Sequence, residues 1–528
     1  MALRVNYNFQ ADFGHVNLKK TENRLNTSLE RLETGLRINS AKDDAAGLFI
    51  ADQLSLVSKA LDQGSRNAND GISAAQIAES TLGQIYDKLT SMYTKASQAA
   101  NDTNDANARN ALQNDIKAIT DAIDRMAKAS EFNGIKLLDG SFTAKSVQYG
   151  ARAGQTLDIS IAKSTADALG TKVLEGTGKT AAGNSGDATP HGSVADILND
   201  TTNFDDFVVD SDDKFIVAGV DLKNKLTDGN ATDAYDIATA INGDSYLSGQ
   251  GITALAKNQS TADAAFGTLA IASGDEVDLT FYVGSDMTSA NAQKFTLKYT
   301  SDVTLDQLIS DINAQGQDIG LSASKTGDGK LVLETANGET IGLDVAITDG
   351  DATANTSVDL STIIQGATTV VDDTNNTSGA AIKVGDLTIA GLQDSDTYDF
   401  TGLSTTTTGL GLTASGSVAD YGAFKNLNDI DVTTQFGAEL GMVILNNAIK
   451  TIDTQRSDLG SIQQNLQAII DNNDFAATQT REAESRIRNV DFAKEMSEFT
   501  RQQTLMQSGM AMLAQANQLP QMVLQLLR

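Results

Sequence analysis

Residues 50–99 read IADQLSLVSKALDQGSRNANDGISAAQIAESTLGQIYDKLTSMYTKASQA. Within them an apolar residue or glycine recurs in alternating steps of four and three residues, from Ile50 to Ala99. A seven-residue repeat of this kind is typical of an α-helix that buries one stripe against other helices. We therefore predict one long helix here. Its large core residues are expected to be Leu54, Val57, Leu61, Leu82, Ile85 and Leu89.

Seven-residue repeats also occur near both ends of the chain. Residues 112–126 carry one, and residues 445–469 carry another, in which Leu459, Ile462 and Leu466 are predicted core residues. We expect these two segments to form a helical bundle with residues 50–99. The two extreme ends carry further stripes, which we interpret as an assembly seam made of Leu25, Leu29, Leu32, Leu36, Phe492, Met496, Phe499, Met506, Met510, Leu513, Leu524 and Leu527.

The C-terminal stripe is too long to be buried inside one compact domain. A continuous helix from about residue 485 to the end would be about 65 Å long at 1.5 Å per residue. Residues 508–527 contain no ionised side chain. We therefore expect this helix to pair with the N-terminal helix, and the pair to require further copies of itself. Lateral contacts that do not close generate helical filaments.

The negative charge of the chain is concentrated in its middle. The 528 residues carry a formal net charge of −30, and residues 166–420 alone hold 38 acidic residues against 11 lysines. The flanks are rich in helix-forming Ala, Leu and Gln, whereas the middle is rich in Gly, Thr and Asp. The composition predicts helical ends and a strand-rich insertion between boundaries near residues 165 and 420.

The composition also excludes several classes of function. The absence of cysteine excludes disulfides, thiol nucleophiles and cysteine-bound zinc. The two histidines, His15 and His191, are too few for a histidine-rich metal site. Strong negative charge argues against nucleic acid as a partner, and no apolar run reaches the ~18 residues of a membrane span. The N-terminal residues lack the apolar core of a cleaved signal peptide. With no nucleophile–base arrangement visible, we expect neither an enzyme nor a cofactor.

Two acidic loops and one hydroxyl-rich run could hold a ligand or a modification. Asp210, Asp212 and Asp213 lie in one loop, and Asp349 and Asp351 lie in another. Neither loop has the spacing of an EF-hand, and an aspartate-rich surface produces such clusters freely, so we predict no metal site. The hydroxyl run at residues 405–408 leaves O-glycosylation open.

An internal repeat divides the insertion. Ala234–Gly243 (AYDIATAING) is followed by GITALAK, and Leu305–Ala314 (LDQLISDINA) is followed by GLSASK. Each copy predicts a short helix, a turn and a strand, with further strands at Thr268–Ala272 and Lys330–Thr335.

Six segments resemble bacterial flagellins, in the same order and at the same ends of the chain. They are NSAKDDAAG (39–47), SRNANDGIS (65–73), EFNGIKLLDG (131–140), RSDLGSIQQNL (456–466), ESRIRNVDFAKEM (484–496) and QANQLPQMVLQLLR (515–528). The internal repeat similarly resembles the Ile-Asn motif of flagellin and filament-cap outer domains. This resemblance implies two small α+β modules, about 195–275 and 276–366, and a β region at 367–417.

The resemblance implies a mainly α core, with long coiled-coil helices from both termini and a β-hairpin, plus inserted α+β and β-rich outer domains. Residues 1–44 with 485–528 would line the channel of a filament. Residues 45–165 with 421–484 would form its wall, and residues 166–420 would face solvent. The implied function is a structural subunit that self-assembles into the extracellular flagellar filament for swimming motility. A hook–filament junction protein and a filament-anchored adhesin or enzyme remain alternatives.

The resemblance also implies partners. They are many copies of the same chain, the filament cap, the hook–filament junction proteins and an export chaperone of the flagellar type III apparatus. Many flagellins present an Arg and a Leu to the flagellin-sensing Toll-like receptor, where this chain has Ser91 and Lys95, and Asp115 stands where a Glu is usual. We therefore predict weak or no activation of that receptor.

Overall fold

A computed structural model describes residues 7–187, 190–200, 202–350, 355–374, 376–404 and 409–526, the last eight without their side chains. Asp351, the hydroxyl run at 405–408, Leu527 and the side chain of Leu524 therefore lie outside the described residues. The chain forms two compact units. The terminal unit comprises Met1–Glu79, Phe142–Ile161 and Ser457–Arg528, and the central unit comprises Ser80–Ser141 and Ala162–Arg456. Among the described helices, none is both long and apolar enough for a membrane span.

Long helices occupy the ends of the chain and short helices and strands occupy its middle. The helices are α1 (Phe9–Thr34), α2 (Ala45–Ala99), α3 (Ala106–Ala129), α4 (Val194–Asn199), α5 (Ala234–Asn242), α6 (Ser245–Gln250), α7 (Leu305–Gly316), α8 (Val418–Tyr421), α9 (Gln435–Arg488) and α10 (Phe492–Leu526). The first eleven strands are β1 (Glu131–Phe132), β2 (Ile135–Lys136), β3 (Lys145–Gln148), β4 (Thr156–Ile159), β5 (Gly170–Gly176), β6 (Thr180–Asn184), β7 (Ile216–Val217), β8 (Val220–Asp221), β9 (Thr253–Lys257), β10 (Gln259–Thr261) and β11 (Glu276–Val283). The others are β12 (Lys294–Tyr299), β13 (Leu321–Lys325), β14 (Leu331–Thr335), β15 (Ile341–Thr348), β16 (Ser357–Asp359), β17 (Val370–Asp372), β18 (Ser378–Lys383), β19 (Asp386–Leu392), β20 (Thr397–Asp399), β21 (Ser415–Ser417) and β22 (Ala423–Asn426).

The C-terminal helix is interrupted, so the prediction of one continuous helix from about residue 485 is wrong. α9 ends at Arg488 and α10 begins at Phe492. Between them, the Asp491 carboxylate accepts the backbone N–H groups of Ala493 and Lys494 at 3.1 and 3.2 Å. An aspartate that satisfies free N–H groups in this way starts a new helix.

The heptad stripe of α2 is buried over most of its length. From Gly64 to Ala99 every position of the predicted stripe is buried, including Leu82, Ile85 and Leu89. The first turns differ, because Leu54 and Leu61 are only half-buried and Val57 is exposed, contrary to its predicted core position. On α9 the predicted core residues Leu459 and Leu466 are buried, and Ile462 is half-buried.

The central unit contains most of the strands. Its sheets are β12-β11-β15-β18-β6, β22-β5-β19-β9, β21-β20-β7-β8, β10-β14-β13, β16-β17 and β1-β2. In the five-stranded sheet Leu279 lies between Leu297 and Val345, and all three side chains are buried. Alternation of buried and partly exposed residues along β11 fixes this register, because a one-residue slip would reverse its faces.

The two copies of the internal repeat have the same local structure. The Asn242 side chain exchanges hydrogen bonds with the backbone of Ala254 at 2.7 and 2.9 Å. Asn313 does the same with Ala323 at 2.8 and 2.7 Å. Asn242 is the last residue of α5 and Asn313 lies in the last turn of α7, and each asparagine ties its helix to the following strand. The strand expected at Thr268–Ala272 is absent from the described secondary structure, where Leu269 forms only an isolated bridge to Val303.

The expected module boundary near residue 276 lies inside one hydrophobic core. Ala262, Leu269 and Ile271 pack in the same core as α7 and β15. β10, which follows the first repeat, also pairs with β14 of the second repeat. The two copies are therefore joined by strand pairing between β10 and β14 as well as by the chain between them.

The insertion leaves and re-enters the helical part of the central unit at adjacent points. Gly170 of β5 pairs with Asn426 of β22. The backbone N–H of Leu427 then donates to the Leu169 carbonyl oxygen at 3.1 Å. A Cβ at Gly170 would lie 2.1 Å from the Lys425 carbonyl oxygen, so this close approach requires glycine.

Candidate assembly surface

The α1 and α10 helices of the terminal unit pack antiparallel. A Cβ at Gly14 would lie 3.3 Å from the Leu513 side chain, and a Cβ at Gly509 would lie 3.4 Å from Leu18. The step from Gly14 to Leu18 runs forward along α1, whereas the step between their partners, from Leu513 to Gly509, runs backward along α10. Several predicted seam residues are half-buried on these two helices: Leu25, Leu32, Phe499, Met506 and Leu513.

Other predicted seam residues do not lie in this contact. Leu29, Phe492, Met496 and Met510 are exposed, so they are not buried within one copy of the chain, and their place in a seam between copies stays a prediction. They lie on other faces of the two helices because the α1–α10 contact uses a different stripe. Leu36 lies beyond the end of α1 and is half-buried.

The stripe of α10 that does face α1 includes two polar residues that the periodicity missed. Glu495 and Gln502 are buried, as is Ser28 on α1. Glu495 and Gln502 are seven residues apart in the sequence, which is also the spacing between Phe499 and Met506. A search restricted to apolar residues cannot find them, whereas a heptad search that admits polar residues would have done so.

The β3–β4 hairpin lies against α2 and α9 in the terminal unit. The Asn473 side chain donates to the Tyr149 carbonyl oxygen at 2.8 Å. Gly64 faces the same oxygen, because a Cβ there would lie only 1.8 Å away. Asn67 donates to the Gln148 carbonyl oxygen at 2.8 Å. The hairpin therefore approaches α2 at a glycine, which explains why the apolar stripe contains glycine at this point.

Polar contacts across α2 and α9 add to this packing. Arg481 forms an ion pair with Asp62. Arg488 approaches Asp52 at 3.5 Å, and Ser65 donates to Asp474 at 3.0 Å. The two ion pairs are solvent-accessible and contribute little stability individually, whereas Ser65 is buried. Together these contacts link complementary polar side chains of α2 and α9 along their length.

Exposed apolar side chains are concentrated on the terminal unit. Among the described residues, 16 of the 22 large exposed hydrophobic residues lie on this unit, which is about a third of the chain. Nine are on or next to α1 or lie on α10, namely Phe9, Phe13, Val16, Leu29, Phe492, Met496, Leu505, Met510 and Met512, which we call the α1–α10 surface. Six are on α2 and α9, namely Phe49, Ile50, Leu56, Val57, Ile77 and Phe475, which we call the α2–α9 surface. The remaining one is Tyr7.

The far end of the α1–α10 surface forms an apolar groove. Phe9 and Phe13 stack with their ring centroids 6.1 Å apart. With Met512 and Leu513 they line a groove of about 340 Å³. A groove lined by exposed aromatic and methionine side chains is suited to an apolar partner.

The three predicted receptor positions lie close together on α2 and α3. The Lys95 ammonium forms a 2.5 Å ion pair with the Asp115 carboxylate. Ser91 lies one turn before Lys95 on α2 and is half-buried. The charge of Lys95 is therefore matched within the chain, and Asp115 already has a partner.

The titratable groups that the sequence singled out have local structural roles. The Asp213 carboxylate accepts the Asp210 N–H at 2.8 Å, and burial raises the pKa of Asp213 to about 6. His191 is buried and lies 2.8 Å from the Asp200 carboxylate, whereas His15 is exposed. Over the described ranges, no group of three His, Cys, Asp or Glu residues is arranged to hold a metal ion.

Comparison with known proteins places the chain in a family. The solved FliC of Burkholderia pseudomallei aligns with 75% of this chain and 99% of its own, at 16% identity and a TM-score of 0.28. Models of the bacterial flagellin N-terminal and C-terminal helical regions match residues 5–143 and 442–527. A flagellin of Aquifex aeolicus is 47% identical and one of Aquifex pyrophilus is 48% identical, each over the full length of both chains. The B-type flagellin of Pseudomonas aeruginosa is 34% identical, also over both full lengths. The chain belongs to the bacterial flagellins.

Proposed function

We propose that this flagellin, a structural subunit of the bacterial flagellar filament, assembles through the α1–α10 and α2–α9 surfaces of its terminal unit. The observation that carries the proposal is the concentration of exposed apolar side chains on that unit. Burial of apolar surface is worth about 25 cal/mol per Å², so side chains of this size favour a covered state. Copies of the same chain are the natural cover, because they present the same surfaces in turn.

The proposal assigns a place in the filament to each part of the chain. Residues 1–44 with 485–528 line the channel, and residues 45–165 with 421–484 form the wall. The acidic insertion at 166–420 faces solvent. The net charge of the insertion supports an outward position, because like charges repel less when water separates them. The chain enters and leaves the insertion at paired residues, Gly170 and Asn426. This supports an insertion that is attached at one point of the chain and has a hydrophobic core separate from that of the helices.

The proposal extends to partners and location. The subunit is secreted through the flagellar type III apparatus with the help of an export chaperone. It polymerises outside the cell between the hook–filament junction proteins and the cap. The exposed apolar surfaces support a chaperone, because they need a partner before assembly as well as after it.

Weak activation of the flagellin-sensing Toll-like receptor is also part of the proposal. The ion pair between Lys95 and Asp115 supports it, because a receptor contact there would have to displace an existing partner. Ser91 offers no guanidinium to a receptor carboxylate.

The assembly proposal is tested by placing a charge on each surface. We expect Phe49→Asp and Met512→Asp each to reduce polymerisation at least tenfold, measured by sedimentation and negative-stain microscopy. Tyr246→Asp, at an exposed aromatic residue of the central unit, is the matched control and should polymerise normally. Normal filaments from both surface variants would refute the assignment of these surfaces.

A further inference from the structure

Two strands of the insertion lie at the outer edges of their sheets. β13 is the outermost strand of the sheet β10-β14-β13, and β9 is the outermost strand of β22-β5-β19-β9. In an antiparallel sheet, alternate residues turn their backbone N–H and C=O groups away from the neighbouring strand. Ala323 of β13 is such a residue, because both groups bond to the Asn313 side chain instead. Ala254 of β9 bonds to Asn242 in the same way.

The asparagine amide allows a helix to take the place of a neighbouring strand. The backbone groups inside a helix already bond to each other, so a helix beside a strand edge offers no backbone partners. An asparagine side chain carries one carbonyl oxygen and one NH₂ group, and so it can pair with both groups of a strand residue. Asn313 supplies this pairing from α7 to β13.

Two further contacts hold α7 along the edge of β13. A Cβ at Gly316 would lie 2.5 Å from the Leu321 carbonyl oxygen, so the end of the helix lies close to the start of the strand. The Lys325 ammonium at the end of the strand lies 2.6 Å from the Asp306 carboxylate in the first turn of the helix. Asn313 bonds the strand between these two contacts. α7 therefore covers the edge of β13.

The edge of β9 has additional cover. A groove of about 290 Å³ follows β9, and Gln435 and Phe436 of α9 line it together with Ala254 and Ala256. A Cβ at Gly338 would lie 2.4 Å from the carbonyl carbon of Ala256, so the turn between β14 and β15 packs against this strand. The edge of β9 is thus shielded by α9 and by this turn as well as by α5.

We propose that Asn313 keeps the edge of β13 closed to strands from other copies of the chain. An uncovered edge presents N–H and C=O groups on which another strand can add. A filament subunit is surrounded by copies of itself, so the same edge of a neighbour is the strand within reach. Strands of the two repeats already pair inside the chain, where β10 adds to β14. The inference does not depend on which surfaces drive polymerisation.

The test compares the same substitution in the two repeats of the full chain. Asn313→Ala removes the two hydrogen bonds to β13, and Asn242→Ala, the matched control, removes the two equivalent bonds to β9. Sedimentation velocity measures association over a range of concentrations, at high salt to screen the acidic charge of the insertion. Amide hydrogen exchange of residues 320–326 reports on the edge of β13.

We expect residues 320–326 of dilute Asn313→Ala to exchange at least about tenfold faster than those of the wild type. At high concentration their exchange should become slow again, and the protein should sediment as dimers or larger species. Asn242→Ala should lose protection at residues 252–257 and yet associate no more than the wild type. Polymerisation through the terminal helices would instead protect residues 9–34 and 492–518, so the two kinds of association are distinguishable.

Fast exchange at residues 320–326 of Asn313→Ala at every concentration would overturn the proposal, because Asn313 would then only stabilise the fold. Equal association of Asn242→Ala would overturn it too. Ser324→Lys, added to Asn313→Ala at an exposed position of β13, should suppress association, since edge lysines discourage strand pairing. Association that persists in this double variant would place the contact elsewhere and overturn the proposal.

A milder substitution keeps the test decisive if Asn313→Ala does not fold. Asn313→Ser leaves a small polar side chain that cannot pair with both groups of Ala323. We expect it to associate through residues 320–326 more than the wild type and less than an open edge would. A folded Asn313→Ser that stays as monomeric as Asn242→Ala would overturn the proposal.

Discussion

Leu36 and Asn489 form an isolated antiparallel β-bridge in the terminal unit. The bridge is flanked by hydrogen bonds from Arg37 N–H to the Arg488 carbonyl at 2.7 Å and from Val490 N–H to the Gly35 carbonyl at 3.0 Å. The interruption between α1 and α2 is thereby paired with the interruption between α9 and α10. Both helix pairs of the unit thus start from one fixed point, although the two interruptions are about 450 residues apart in sequence.

Gly64→Ala should destabilise the terminal unit. A Cβ at residue 64 would meet the Tyr149 carbonyl oxygen at 1.8 Å, and the hairpin backbone would have to move. Gly83→Ala on the same helix is the matched control, because nothing lies within 4 Å of its Cβ position. The control should gain up to about 1 kcal/mol from higher helix propensity. Thermal melting followed by circular dichroism measures both, and equal melting temperatures would contradict the close packing at Gly64.

Leu89→Asp should destabilise the central unit far more than Ser91→Asp. Leu89 is fully buried on α2, whereas Ser91 is half-buried. A carboxylate at position 89 would be buried without a partner, at a cost of several kcal/mol. Thermal melting of the two variants decides the matter, and a similar loss in both would show that the face of α2 is assigned incorrectly.

Deletion of the insertion should leave polymerisation intact. The natural cut joins Gly170 to Asn426 through a short Gly/Ser link, because these residues are already paired across neighbouring strands. We expect thinner and less negative filaments by electron microscopy. A helical, soluble monomer that forms no filaments would contradict the proposed role of residues 166–420.

Removal of the last twenty residues should abolish polymerisation. The truncation takes away Met510, Met512 and Leu513, and with them the apolar groove at the far end of the α1–α10 surface. The bundle around Leu89 should keep its melting temperature, since its buried residues are untouched. Filaments of normal length from the truncated chain would contradict this prediction.

Ser91→Arg combined with Lys95→Leu should increase activation of the flagellin-sensing Toll-like receptor. The change adds a guanidinium, and it removes the lysine that now pairs with Asp115. A contact of this kind at a hot spot can change affinity tenfold or more. A reporter-cell titration of monomeric protein measures it, with Lys117→Leu as a control at an exposed lysine of α3. Strong activation by the wild type, or none gained by the variant, would contradict the receptor positions.

Several features could be predicted because they depend on local chemistry or on sequence period. The buried stripe of α2 from Gly64 to Ala99 follows directly from the seven-residue repeat. The asparagines at 242 and 313 recur in matching motifs, and each bonds the strand that follows its helix. Charge and composition separated the insertion from the helical ends, since helix-forming and turn-forming residues differ in kind.

Other features depended on which segments meet in space. The sequence by itself determined that α1 and α10 carry apolar stripes, but only the tertiary structure decided which stripe faces inward. Phe492 and Met496 are exposed, whereas the polar Glu495 and Gln502 are buried. A seven-residue repeat specifies that one face of a helix is apolar. The position of the packing partner decides which face is buried, and a subunit that assembles has more than one partner. The same reason explains Gly64, whose requirement comes from a hairpin backbone about 85 residues later in the chain.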